Sequence, residues 1–231
     1  MSKIKELLRR LVYGKPEDYV SHLRSLGVRI GERTCFFDPR NCLIDVTRPW
    51  LVEIGDDVQI TRGLTLLTHG YDWSVMKGMY GRVLGSSGKV TIGNNVFIGM
   101  NTTILKGVTI GNNVVIGACS LVNKDIPDNC VAAGNPIRVI MPIEEYYEKR
   151  IAAQEAEAKE LVREYRKVYG KDPDEAALSE FFWLFTDDPD NLHPSWLRQL
   201  QNVGTEELGR ELLKKNNKPY RDMQDFLNHC D

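Results

Sequence analysis

The chain has 231 residues, 30 Lys+Arg against 32 Asp+Glu, a net charge of −2 and a sequence pI of about 6.1. This length fits one compact domain plus appendages, and the near balance of charge argues against bulk nucleic-acid binding. The five cysteines, Cys35, Cys42, Cys119, Cys130 and Cys230, contain no CxxC pair, so they read as free thiols in a reducing, cytoplasmic compartment.

The opening stretch MSKIKELLRRLVYG is too charged for a signal peptide, and no transmembrane segment follows. Leu7, Leu8, Leu11 and Val12 predict an amphipathic helix over 2–12. Its basic face could touch a membrane surface peripherally; the plainer reading is a helix packed on the core. A second helix is expected over 16–26, opening at Pro16 and closed by Gly27. Together, 1–27 read as an N-terminal helical segment.

From Val28 and Ile30 a different pattern begins, irregular at first around Phe36, Phe37 and Pro39. Ile54, Ile60 and Leu66 then lie six apart, as do Ile92, Ile98, Ile104, Ile110, Ile116 and Val122. A second column stands two residues earlier: Val52, Val58, Leu64, Val90, Val96, Thr102, Val108, Val114 and Ser120. Spacing by two puts both columns on one face of a strand. A third column, three residues after the first, holds Asp57, Gly63, His69, Asn95, Asn101, Gly107, Asn113, Cys119 and Asp125. Asn, Gly and Asp are the residues that best tolerate left-handed turn conformations. Each unit is therefore a short strand with one inward face, closed by a corner. Three such units make one turn of a prism, and successive turns stack through parallel ladders. An ordinary β-sandwich is the alternative, but its strands do not keep a fixed turn spacing.

The phase breaks between Leu66 and Ile92, which are 26 residues apart. The stretch 68–89, THGYDWSVMKGMYGRVLGSSGK, must leave the coil. A loop extruded from a rigid solenoid is a common place for function. Past Pro142 the composition changes. A charged helix is expected over 144–169 with Tyr147, Ile151, Ala158, Leu161, Val162 and Tyr165 on one stripe and Gly170 as its stop. A second helix is expected after Pro173, carrying Phe181, Phe182, Trp183, Leu184 and Phe185, with weaker helical patterns over 194–201, 205–215 and 219–229. Those rings must bury on the coil, on themselves or on a neighbouring subunit. The organisation is thus 1–27, a coil over 28–142, and a helical extension over 143–231.

The run VTIGNNVFIGMNTTILKGVTIGNNVVIGACSLVNKDIPDNCVAAGNPIRVI, the Thr68–His69 pair before the extruded loop, and the closing AAGNP resemble the hexapeptide-repeat O-acetyltransferases. The likeness spans roughly residues 28–141 and is nearest to the galactoside and maltose acetyltransferases and the sugar O-acetyltransferases of polysaccharide synthesis. It implies a mainly β fold, a left-handed parallel β-helix. That hand is an exception to the right-handed crossover rule and comes from the resemblance alone. It also implies a homotrimer with sites in clefts between coils, acetyl-CoA as co-substrate, no metal, and a small-molecule or glycan acceptor.

Acyl transfer to a hydroxyl needs a base, donors for the oxyanion and a groove for the donor's long arm. By resemblance His69 is the base; as a member of the third column it also reads as a corner residue. His22, His193 and His229 read as surface residues. Gly99 and Met100 lie near the family's oxyanion and donor contacts. Phe97, Ala118, Asn123, Lys124 and Arg138 complete the implied donor set, although Lys124 and Arg138 also read as solvated coil-edge charges. Asn41 and Asp45 fall near the family's acceptor-binding or orienting residues, and equally well as turn formers. Asp72 and Trp73 in the loop are the remaining acceptor candidates, and Asp72 reads equally as an orienter of His69 or a plain loop aspartate. Tyr71, Met76, Met79 and Tyr80 could stack on a sugar or merely pack the loop. Three other functions stand beside this one. A γ-class carbonic anhydrase needs three converging histidines, and the repeats hold only His69. A noncatalytic hexapeptide scaffold and a streptogramin-type antibiotic acetyltransferase remain as alternatives.

Overall fold

The computed structural model describes residues 16–230, so the helix expected over 2–12 lies outside them. The described chain divides into two compact units, one ending at Tyr146 and the other beginning at Tyr147.

The first unit opens with helix α1 (Pro16–Ser25), which Gly27 ends in the left-handed region at φ +104°. Tyr19, Val20 and Leu23 join the same core as the coil residues, and the Tyr19 ring meets Phe36 edge-on at 5.0 Å. Arg24 donates to the carbonyls of Ile30 and Gly31. This helix is therefore part of the solenoid unit and not a separate segment.

Fourteen strands follow among the described residues, and through the twelfth, strand n pairs in parallel with strand n+3; the thirteenth then pairs in parallel with the eleventh. One sheet runs β1 (Arg29–Ile30), β4 (Val52–Ile54), β7 (Val90–Ile92), β10 (Thr109–Ile110). A second contains β2 (Cys35–Phe36), β5 (Gln59–Ile60), β8 (Val96–Ile98), β11 (Val114–Ile116) and β13 (Cys130–Ala133). The third runs β3 (Leu43–Ile44), β6 (Thr65–Leu66), β9 (Thr103–Ile104), β12 (Leu121–Val122). We call these the first, second and third walls of the prism. The fold is a left-handed parallel β-helix, three strands to the coil, with helices before and after it.

The register explains the six-residue spacing. Ile54 lies opposite Ile92, Ile98 opposite Ile116, and Ile104 opposite Val122, so each aliphatic column is a buried ladder down one wall. Burying each such side chain stabilises the stack by roughly 1.5–3 kcal/mol. Thr102 and Ser120, the polar members of the second column, are buried too. Each hydroxyl donates to the carbonyl three residues back, Gly99 and Gly117 respectively, which satisfies it inside the prism.

The corners follow the third column with two exceptions. Asp57, Asn95, Asn101, Asn113 and Cys119 take positive φ between 54° and 58°, and Gly63 and Gly107 take +84° and +81°. His69 and Asp125 are not in that region. At His69 the chain runs straight out of the coil, bridged antiparallel to Ser87, while Gly88 returns its N–H to the carbonyl of Thr68. The extruded loop contains an unforeseen helix, α2 (Trp73–Tyr80), closed by Gly81 at φ +71°. At Asp125 the last coil is shortened, with Ile110 bridged to Ile126. The coil ends in a second unforeseen element, β14 (Arg138–Pro142), which folds back antiparallel on β13.

The second unit begins in helix α3 (Ile143–Tyr169). Ala158 and Val162 are buried from the expected stripe, whereas Tyr147 and Ile151 remain exposed. The aromatic segment after Pro173 is not an α-helix. It is a series of turns ending in a 3-10 turn at Phe182–Leu184, with Phe181, Leu184 and Phe185 each bonding three residues back. The segment sits between Pro173 and the DDPD run, too short a span for α-helix propagation to outweigh nucleation. Helices α4 (Pro194–Leu200), α5 (Glu206–Lys214) and α6 (Met223–Asn228) complete the unit. Its rings bury against one another: Phe182 stacks on Trp196 at 5.8 Å and Phe185 on Phe226 at 5.5 Å.

Candidate active site

Three corner lines run the length of the prism. His69 lies on the line between the third and first walls, in the second coil. Asp45 occupies the same line one coil earlier, immediately after β3. The parallel register of Ile44 with Leu66 carries Asp45 under Thr68 and His69.

Asp45 is 6% exposed. Its backbone N–H donates to the Leu66 carbonyl at 2.9 Å, fixing the residue to the coil above. Its Oδ1 accepts the Thr47 backbone N–H at 3.0 Å and the Thr47 hydroxyl at 2.6 Å. Its Oδ2 accepts the Thr68 N–H at 3.0 Å, a short bond from the Thr68 hydroxyl, and stands 2.6 Å from His69 Nδ1. Burial opposes the charge on this carboxyl. The hydroxyl and N–H bonds from Thr47 and Thr68 outweigh that cost and hold it well below the usual carboxylate range.

An ionised carboxylate can only accept, so the proton between Asp45 and His69 belongs to Nδ1. In the neutral ring Nε2 is then the bare nitrogen. The imidazole side chain is 15% exposed. The ring of Tyr71 meets His69 edge-on at 5.2 Å, and Trp73 lies on the far side of Tyr71 at 5.8 Å. Tyr71 is itself 70% exposed, so the imidazole sits at the base of an open aromatic wall.

The other candidates separate into distinct places. Asp72 is exposed at the start of α2 and makes no side-chain cap bond there. Asn41 closes a 3-10 turn at Pro39–Asn41, exposed and bonded to Asp38 at 2.6 Å. Strand β3 stands between Asn41 and Asp45, so Asn41 is not brought to the imidazole. Asn123 and Lys124 share the corner line of His69, two strands along the third wall through the register Leu66, Ile104 and Val122. At about 4.8 Å per strand that is roughly 10 Å.

Phe97, Gly99, Met100 and Ala118 gather elsewhere, on the second wall and at its corner with the third. Phe97 and Met100 are left 42% and 48% exposed. Arg138 on β14, opposite Ala133, is exposed farther along the same sheet, with β13 and β11 between it and β8. Gly99 is buried, and its N–H donates to the Ile116 carbonyl at 2.8 Å. That N–H is committed to the ladder, which removes it as an oxyanion donor. A Cβ on Gly99 would stand 2.5 Å from the Ala118 nitrogen, so coil stacking already requires glycine there.

Thr68 carries no signal in the sequence beyond the Thr-His pair, because its role depends on a contact made 23 residues away along the chain, whereas Thr47 bonds Asp45 from only two residues on. Of the other histidines, His229 is exposed. His22 and His193 are half-buried, and His193 caps α4 through its ring nitrogen.

The model of the family described as bacterial transferase hexapeptide (six repeats) matches residues 89–124. Protein CapG of Staphylococcus aureus is 40% identical over 147 residues, covering 64% of this chain and 84% of that protein. The galactoside O-acetyltransferase of Escherichia coli K12 is 44% identical over 103 residues, covering 45% of this chain and 50% of its own length. A solved galactoside acetyltransferase in complex with coenzyme A aligns at 32% identity over 62% of this chain and 80% of its own, with a TM-score of 0.46. The extent of the match to CapG, with the repeats matched at 89–124, shows that this chain is an acyltransferase belonging to the hexapeptide-repeat acetyltransferase family.

Proposed function

We propose that this enzyme moves an acetyl group from acetyl-CoA to a hydroxyl of a sugar or glycan precursor, with His69 as general base. The observation that carries the reading is the Asp45–His69 pair, in which a buried, ionised carboxylate holds Nδ1 at 2.6 Å and leaves Nε2 to act. Acetyl-CoA supplies the acetyl group as a thioester and leaves as the free thiol. His69 takes the proton of the acceptor hydroxyl at Nε2 as the oxygen bonds the acetyl carbon. It returns that proton to the sulfur when the carbon–sulfur bond breaks. Asp45 stabilises the imidazolium between those two transfers without itself taking a proton.

The exposed Phe97 and Met100, with Arg138 farther along the same sheet, suit a donor with an apolar arm and a phosphate-bearing end. Lys124 offers a second cation on the His69 line. His69 and the Phe97–Met100 corner belong to different edges of the prism. One wall, six residues at about 3.3 Å, separates them by up to roughly 20 Å. A site using both is completed by a second copy, which favours a homotrimer with its sites between copies. The aromatic wall of Tyr71 and Trp73 suits the C–H face of a sugar ring, and the galactoside enzyme among the relatives is named for such an acceptor.

The test is release of CoA thiol from acetyl-CoA in the presence of glycosides, nucleotide sugars or lipid-linked glycans. The expected result is acceptor-dependent release, with the acetyl group recovered as an ester on a sugar oxygen. Tight binding of acetyl-CoA with no release against any hydroxyl acceptor would favour a scaffold or a different acceptor class. Failure to bind acetyl-CoA would refute the proposal.

A further inference from the structure

The Thr-His pair marks the mouth of the loop, yet only its histidine has a role in the proposed reaction. Thr68 is completely buried and contacts the site through three of its groups. Its carbonyl accepts the N–H of Gly88 at 2.9 Å, tying the returning end of the loop to the coil. Its own N–H and its hydroxyl both donate to Asp45 Oδ2, the oxygen that receives His69 Nδ1.

Counting acceptors shows why this matters. Asp45 receives two bonds at Oδ1, both from Thr47, and three at Oδ2, from Thr68 twice and His69 once. A carboxylate offers about four lone-pair sites, so these donors fill it. With its acceptor sites taken, the carboxylate cannot rotate without breaking several bonds together. Among the described residues, the Thr68 hydroxyl is the one side-chain donor sharing the imidazole's oxygen. The Thr47 hydroxyl holds the opposite oxygen and touches the ring only through the carboxylate.

We propose that Thr68 is a positioning residue: its buried hydroxyl locks the Asp45 carboxylate so that His69 keeps its proton on Nδ1 and presents Nε2 to the acceptor. This rests on His69 being the base, and it adds a second side chain on which the reaction depends. The bond is hydroxyl to carboxylate, so serine can replace threonine and valine, which has the same shape, cannot. The backbone N–H of Thr68, and its carbonyl that accepts from Gly88, are kept in every variant. That separates the hydroxyl's contribution from the anchoring of the loop mouth.

The experiment uses the full-length protein as wild type, Thr68→Val, Thr68→Ser and Thr47→Val. The steady-state rate of acetyl transfer is measured together with the long-range proton–nitrogen NMR spectrum of the His69 ring. Thr68→Val should lower kcat by about 10- to 100-fold, the effect of losing one hydrogen bond to a charged group. KM for acetyl-CoA should stay within about two-fold, because Thr68 is fully buried and offers no surface to a ligand. Thr68→Ser should recover most of kcat. Thr47→Val should cost less than Thr68→Val. In the spectra, wild type and Thr68→Ser should show a bare Nε2, and Thr68→Val a mixture of tautomers. An unchanged kcat and ring spectrum in Thr68→Val would overturn the proposal, as would a serine variant as impaired as the valine one. Should Thr68→Val not fold, Thr68→Ala removes the same hydroxyl without crowding and is judged by the same outcomes. The ring spectrum needs no turnover, so it tests Thr68 even if His69 proves not to be the base.

Discussion

At the scale of single residues, the site is a buried carboxylate whose charge is maintained by its neighbours. Asp45 has a lowered pKa, so its ionisation stabilises the folded state at neutral pH. That contribution is complete above the ordinary aspartate pKa of about 3.9 and is lost progressively as pH falls below it. Asp45→Asn removes the charge at every pH. Its melting temperature should therefore lie below wild type at pH 7, with the gap narrowing as pH drops below about 4. A gap that stays constant from pH 7 to pH 3 would mean that the carboxylate's charge is not what its hydrogen bonds stabilise. The sequence made His69 legible through the Thr-His pair and the loop that follows. It left Asp45 between an acceptor contact and a turn former, because one chain position cannot reveal which residue of the next coil it faces. In the structure both Asp45 oxygens are bonded by Thr47, Thr68 and His69.

At the scale of elements, the repeat encodes the wall and the corner together. Ile and Val fill the ladders, while Asn and Gly relieve the corners. The asparagines also bond from coil to coil: Asn95 Nδ2 donates to Asn113 Oδ1 at 2.9 Å, and Asn113 Nδ2 donates to Asn129 Oδ1 at 2.8 Å. Asn113→Ala places a Cβ residue in the left-handed region without the amide and should cost about 1–2 kcal/mol. Asn113→Gly keeps the backbone conformation and loses only the two amide bonds, so it should cost less. Chemical denaturation of both variants decides the point; equal losses would assign the corner's stability to the amide ladder. The same logic accounts for what the repeat did not announce. His69 falls in the corner column by counting, yet the insertion after it replaces the corner, so its backbone stays extended out of the coil. Helix α2 and strand β14 have no repeat of their own; β14 is shaped by its antiparallel pairing with β13, and α2 lies in the loop with no buried residue. The aromatic segment at 181–185 read as a helix because its apolar residues are dense; prolines on either side leave it only turns.

At the scale of the whole chain, two units carry two separate cores. The second unit answers by itself the question of where its aromatic rings go. Phe182→Ala should destabilise that unit by about 3–5 kcal/mol. Calorimetry should show a transition moved to lower temperature while the β-rich transition stays in place. A single shared transition that moves as one would contradict the independence of the cores. No helix among the described residues is long and apolar enough to cross a membrane. Within the coil unit, the proposed chemistry is divided between two corner lines, the imidazole on one and the exposed Phe97 and Met100 on another.

The most direct measurement is acetyl transfer by His69→Ala, run alongside calorimetric binding of acetyl-CoA to the same variant. The account predicts donor binding close to wild type and transfer reduced by at least about 100-fold, as expected on losing a general base. Transfer at the wild-type rate in a variant that still binds the donor would remove His69 from the reaction and contradict the account.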